Sequence, residues 1–137
     1  MRMKNVMFMF LFSFSVFGIA GAQQITVGGK PVAELKSNGD LYVNGKFIGL
    51  FDKSGDVYRN GELVGKIKPN GEFWTGGLKS GKMEADGSVY RSNAKVGKVE
   101  YSGDVYEDDK KVALGRGVKR EWLAAVFFFY FKEDVRK

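Results

Sequence analysis

From Ile25 onward the apolar residues recur in a sixteen-residue frame, and six copies follow in register: ITVGGKPVAELKSNGD, LYVNGKFIGLFDKSGD, VYRNGELVGKIKPNGE, FWTGGLKSGKMEADGS, VYRSNAKVGKVEYSGD and the partial VYEDDKKVALGR. Numbered within each copy, position one (Ile25, Leu41, Val57, Phe73, Val89, Val105), position eight (Val32, Ile48, Val64, Ser80, Val96, Val112) and position eleven (Leu35, Phe51, Ile67, Met83, Val99) are apolar almost throughout. Two turn signals separate them. Positions four and five, Asn44-Gly45 and Asn60-Gly61 among them, suit a two-residue hairpin turn, which needs positive φ. Positions thirteen to fifteen end in Gly39, Gly55, Gly71, Gly87 and Gly103 and suit a three-residue loop, with Pro69 where its type I turn prefers proline. Each copy is therefore expected to form two short antiparallel strands.

Pairing across the two-residue turn sets position three opposite six, two opposite seven and one opposite eight. The three-residue turn sets eleven opposite position one of the next copy. Positions one, eight and eleven are then expected in the core. The step from eight to eleven is odd, however, and along a regular strand it places them on opposite faces. A bulge or kink between them resolves the conflict. Position nine is Gly49, Gly65, Gly81 and Gly97, with Ala33 and Ala113 in the end copies, and the expectation is a bend there. Clearance for a neighbouring aromatic is the alternative role. Strands this short leave exposed edges and half a core in an open sheet. The predicted fold is mainly β, a closed antiparallel meander barrel of about twelve short strands.

After Gly115 the frame stops, and Trp122 to Phe131 is apolar in every direction. A helix of about fifteen residues at roughly 1.5 Å each is too short to span a bilayer, and one that is apolar all round belongs in a core. A twelve-stranded barrel is too wide for its own side chains to fill. The C-terminal segment, about residues 117–131, is thus expected to thread it as a helix, with Lys132 to Lys137 emerging beyond. A final pair of aromatic strands or a membrane-contacting foot are the alternatives.

Units of the form GxVYxNGxxVGxI closed by an apolar C-terminal helix resemble the bacterial β-flower proteins, over residues 25 to about 131. The resemblance implies short hairpin petals around a helix, an envelope location and no established activity. In architecture it is similar to the C-terminal domain of tubby-like proteins and to the phospholipid scramblases. For tubby-like domains it implies phosphoinositide binding, but none of their basic ligands maps residue by residue onto this chain.

Residues 1–22 read as a signal peptide: Arg2 and Lys4 precede the apolar run Val6 to Ala20, and Ala20-Gly21-Ala22 is a small-x-small cleavage site. Cleavage after Ala22 leaves a single repeat-barrel domain, 23–137, with the repeats at about 25–116; retention as an anchor is the alternative. The chain has no Cys, so no lipoprotein anchor is expected, and the location is periplasm or cell envelope. Removing Arg2 and Lys4 lowers the 22 basic residues to 20 against 16 acidic. No Cys and no His also removes thiol and imidazole chemistry and the usual transition-metal ligands. No enzyme, cofactor or metal is expected. Asp40, Asp56, Glu72 and Asp104 recur at position sixteen, and a repeated position makes a poor catalytic site.

Charge sorts by height. Positions three to seven carry Lys30, Lys46, Arg59, Lys79, Arg91, Lys95, Lys110 and Lys111 against four acids, whereas positions twelve to sixteen carry four bases against eight acids. All turns of one kind lie at one rim, so the Asn-Gly rim should be basic and the other acidic. A basic rim on an exported protein points to anionic lipid headgroups or an acidic glycan, with no nucleic acid as partner. Position two, Tyr42, Tyr58, Trp74, Tyr90 and Tyr106, should form an aromatic belt on the outer wall. It either packs on position seven or serves a structural or protein-interaction scaffold that meets an envelope partner.

Overall fold

A computed structural model describes residues 22–136. The signal-peptide reading of the N-terminus lies outside the described residues, apart from Ala22 at the head of the first strand. Twelve strands follow: β1 (Ala22–Val27), β2 (Lys30–Lys36), β3 (Asp40–Val43), β4 (Lys46–Phe51), β5 (Asp56–Arg59), β6 (Glu62–Ile67), β7 (Glu72–Thr75), β8 (Leu78–Met83), β9 (Ser88–Arg91), β10 (Ala94–Val99), β11 (Asp104–Glu107) and β12 (Lys110–Leu114). Each pairs antiparallel with its neighbour in sequence, and β12 returns to β1 through Thr26 opposite Leu114 and Val27 opposite Ala113. The meander closes into a barrel, which removes the edges that such short strands would otherwise expose.

The turn chemistry acts as its residues dictate. Asn44 and Gly45 have φ of 51° and 82°, the left-handed pair that a two-residue turn between twisted strands requires. At the other kind of turn the Asn38 amide oxygen accepts from the Asp40 amide at 3.0 Å, and Gly39 donates its amide to Lys36 O at 2.9 Å. The register agrees with expectation at most positions. Leu41, for example, lies opposite Leu35 of the preceding copy, and Tyr42 lies opposite Phe47.

One pairing differs. Position one faces position nine, not eight: Leu41 lies opposite Gly49, Val57 opposite Gly65, Phe73 opposite Gly81 and Val89 opposite Gly97. Position eight is the extra residue of a β-bulge, one strand position before the expected bend. At three copies its carbonyl accepts from the next copy: Asn44 N–H donates to Val32 O at 2.9 Å, Asn60 N–H to Ile48 O at 2.8 Å and Ser92 N–H to Ser80 O at 3.0 Å. Position eight is consequently half-buried except at Ile48, while all six residues at position one are fully buried.

The C-terminal segment differs from a single helix over 117–131. It begins at Arg120 as one α-helical turn, α1 (Arg120–Ala124), widens to a π-helical stretch (Ala125–Phe129) and ends in α2 (Lys132–Val135). The wide turn is marked by Tyr130 N–H donating to Ala125 O at 2.8 Å. Leu123 to Phe128, Phe131 and Val135 are buried.

The interior explains both the π turn and the glycines. A methyl group added at Gly97 would meet the ring of Phe128; at Gly81 it would meet Phe129, at Gly65 Tyr130 and at Gly49 Phe131. Four consecutive aromatic side chains thus lie against position nine of four consecutive copies, in reverse order. A π turn rotates less per residue than an α turn, which brings successive rings closer to the one-sixth turn separating six repeats. Phe129 also stacks on Phe73, with centroids 4.2 Å apart and planes 14° apart. In the sixth copy the wall opens further: position eleven is Gly115, and Leu123 occupies the space a side chain there would take. The glycines of position nine serve close approach of the tail rather than a bend of the strand.

Candidate functional site

Three features compete for the role of a site: the turn acids, the outer belt and the Asn-Gly rim. The turn acids are engaged with their own wall. Lys66 pairs with Asp56 at 3.5 Å, Lys79 with Glu72 at 3.4 Å and Lys111 with Asp104 at 2.9 Å. Several are held below the usual carboxylate range: Asp104 by Lys111 and the Ser102 hydroxyl, Glu72 by the Trp74 indole N–H, Asp86 by the Ser88 amide and Asp52 by the Ser54 hydroxyl. Carboxylates stabilised in their charged form are poor proton donors. Among the described residues no group of three or more acids is arranged to hold a metal ion.

The belt residues Tyr42, Tyr58, Trp74, Tyr90 and Tyr106 are all half-buried on the wall. Their cross-strand partners at position seven are Phe47, Leu63, Lys79, Lys95 and Lys111. Tyr42 and Phe47 have ring centroids 5.5 Å apart, and Lys68 lies over the Trp74 ring at 3.9 Å. The belt is therefore packed onto its own neighbours. Shallow outer grooves recur between copies, one beside Gly97, Lys98 and Tyr106 and another beside Gly65, Lys66 and Trp74. Recurrence at equivalent positions makes them a property of the repeat.

At the Asn-Gly rim the eight sequence-predicted cations divide into two sets. Arg59 reaches the tail, donating to both carboxylate oxygens of Asp134 at 2.8 and 3.0 Å. That bidentate bond raises the Arg59 pKa. Lys79 and Lys111 lean down the outer wall to the position-sixteen acids already named. Lys30, Lys46, Arg91, Lys95 and Lys110 are exposed and form no ion pair among the described residues.

Sequence reasoning missed a second anchor of the tail: Arg136 pairs with Glu107 at 2.8 Å and donates to Phe127 O at 3.0 Å. Arg59 and Glu107 both occupy position three, which alternation places on the same inner side as position one. Arg91 shares that position and is exposed without an ion pair among the described residues, and the tail also carries Lys132 and Glu133, so position in the repeat does not by itself single out these two pairs. At the opposite rim Arg120 donates to Ala85 O at 3.0 Å and covers the Tyr101 ring at 3.7 Å. Trp122 stacks on Phe51, with centroids 5.3 Å apart. The tail's contacts thus run from the three-residue-turn rim at Arg120 to the Asn-Gly rim at Asp134 and Arg136. Between them the Tyr130 hydroxyl donates to Trp74 O at 2.8 Å, and burial pushes its pKa up to about 12.

Fold and rim together define a class: a closed twelve-stranded barrel of repeated hairpins whose apolar tail packs against the inner faces of its strands. Comparison with protein-family models, with curated proteins and with solved structures finds no match for this chain.

Proposed function

We propose that the chain is a non-enzymatic binding module of β-flower type, exported and cleaved after Ala22, whose Asn-Gly rim docks on an anionic lipid surface of the cell envelope. In this reading the tail threads the barrel as a plug, so the ligand is met at the rim and not in a central cavity. The observation that carries it is the set of exposed cations, Lys30, Lys46, Arg91, Lys95 and Lys110, left without ion pairs among the described residues while Arg59, Lys79 and Lys111 are engaged. Cations gathered at one end attract an anionic surface within about a Debye length, roughly 10 Å at 0.1 M salt.

Co-sedimentation with vesicles of anionic and of neutral lipid, across a salt series, tests the reading. The expected result is binding to anionic vesicles that weakens with salt and is lost on reversing Lys30, Lys46, Arg91 and Lys95 to Glu. Absence of binding at low salt, or binding indifferent to those reversals, overturns it in favour of a scaffold that meets a protein partner.

A further inference from the structure

The rim is not uniform around its circumference. Phe47 in copy two, Leu63 in copy three and Leu78 in copy four are 51%, 60% and 75% exposed, and among the described residues no other large hydrophobic at this rim is as bare. Copies follow one another round the barrel, so the three residues sit on neighbouring hairpins, Phe47 and Leu63 on the outer wall opposite Tyr42 and Tyr58, and Leu78 one residue nearer its tip, opposite Thr75. Phe47 and Leu63 are the second residues after their two-residue turns and Leu78 is the first. At about 3.3 Å per strand residue all three lie within roughly 7 Å of the tips. Tyr42 backs Phe47, and Trp74 lines the same outer groove as Leu63. In copies four to six the corresponding wall position is Lys79, Lys95 or Lys111.

Charge brackets this group. Exposed Lys30 and Lys46 stand at one end, and exposed Arg91 and Lys95 stand at the other. Copy six, opposite copy three in a ring of six, carries Asp108 and Asp109 at its tip with Lys110 directly after them, all exposed, so two acids stand there against one cation free of ion pairs among the described residues. Glu62 is the one acid inside the apolar group.

Resting on the lipid-docking reading, we propose that the barrel docks tilted on an anionic bilayer, with Phe47, Leu63 and Leu78 entering the boundary between headgroups and acyl chains and the Asp108-Asp109 tip held away in water. Exposed apolar groups of this kind mark interaction surfaces. Cations on both flanks match an anionic surface, and acids diametrically opposite are repelled by it, so charge sets the tilt that presents the apolar side chains. Their height suits the boundary layer, which interfacial elements enter by roughly 5–10 Å. Tyr42 and Trp74 then sit at headgroup level, the depth that amphipathic rings favour.

Trp74 is also a built-in depth reporter, since Trp122, the second of the chain's two tryptophans, packs on Phe51 at the other rim. The test uses a Trp122→Phe background, expressed from the complete chain and purified in the same processed form for every variant. Anionic vesicles carrying lipid brominated near the headgroup should quench Trp74 and shift its emission to the blue. The triple variant Phe47→Ser, Leu63→Ser, Leu78→Ser should lower the partition coefficient about tenfold or more. Glu62→Gln should strengthen binding and Asp109→Asn should leave it unchanged. Thermal unfolding of each variant establishes that these surface changes leave the fold intact. Salt-sensitive binding to anionic vesicles with Trp74 unquenched, the triple variant unaffected, or Glu62→Gln and Asp109→Asn equivalent overturns the tilt while sparing the docking reading. Absence of binding to anionic vesicles overturns both.

Discussion

Replacing Gly49 by Ala puts a methyl group where the Phe131 ring already is. The added carbon lies 2.5 Å from Cζ and 2.7 Å from Cε1 of that ring, and 3.2 Å from Tyr58 O. Carbon atoms rest comfortably at about 3.5–4.0 Å, so the ring must retreat by roughly 1 Å. It has little room, being fully buried with its centroid 5.8 Å from that of Phe51. Overpacking a closed core costs about 1–3 kcal/mol. The expected loss is about 2 kcal/mol, read from urea unfolding followed by circular dichroism. Phe131→Leu removes the far ring atoms that the methyl group meets. In that background Gly49→Ala should cost less than about 0.5 kcal/mol, giving a coupling of roughly 1.5 kcal/mol in the double-mutant cycle. Gly81 supplies the contrast, because there the added carbon meets the Tyr90 carbonyl as well as the Phe129 ring. Backbone cannot yield as a side chain can, so Phe129→Leu should rescue Gly81→Ala only in small part. Costs at Gly49 and Phe131 that add within experimental error would refute the close-approach account and return position nine to the role of a bend.

Further outcomes follow from the turns and the tail. Asp108 and Asp109 hold φ of 50° and 65° in a turn whose second residue is Gly in the first four copies, so Asp109→Gly should raise stability by about 0.5–1 kcal/mol, measured as a higher urea midpoint. Ending the chain at Gly117 removes Leu123 to Phe128, Phe131 and Val135 from the interior and should abolish cooperative unfolding, with loss of the sharp thermal transition. The Tyr130 phenol, pushed up to about 12, holds its proton more tightly in the folded chain than in the unfolded one, where it titrates near about 10. Its contribution is complete below about pH 10 and is lost as pH rises toward 12. The stability gap between the parent and Tyr130→Phe should therefore narrow over that interval, and a gap that stays constant would contradict it.

Much of the barrel was legible because its information is local. Asn44-Gly45 and Asn60-Gly61 can hardly form anything but tight turns, and position one keeps one face apolar through every copy. The odd step from eight to eleven even required a bulge. Its place was one residue off, because the choice between bulging at Val64 and bending at Gly65 depends on which residue Val57 pairs with across the hairpin. No rule of turn chemistry sets that. Pairing with Gly65 wins because it turns the residue without a side chain toward Tyr130. The rim was legible only as a count of charges. Arg59 entered that count as a free cation and is committed to Asp134, 75 residues away in the chain.

The sequence by itself determined the period, the two kinds of turn, the number of strands, the closure of the sheet and the apolar character of the tail. Each of these follows from backbone preference and the alternation of apolar residues over short stretches. Tertiary structure alone decided the π turn, the pairing of Phe128 to Phe131 with Gly97, Gly81, Gly65 and Gly49, and the division of the rim into engaged and exposed cations. Those depend on which residues meet across the barrel, where space is shared by segments far apart in the chain. The apolar residues Phe47, Leu63 and Leu78 belong to the second group as well: they come together because the meander pairs consecutive hairpins and sets their copies side by side at one rim, and their exposure there is a property of the folded chain.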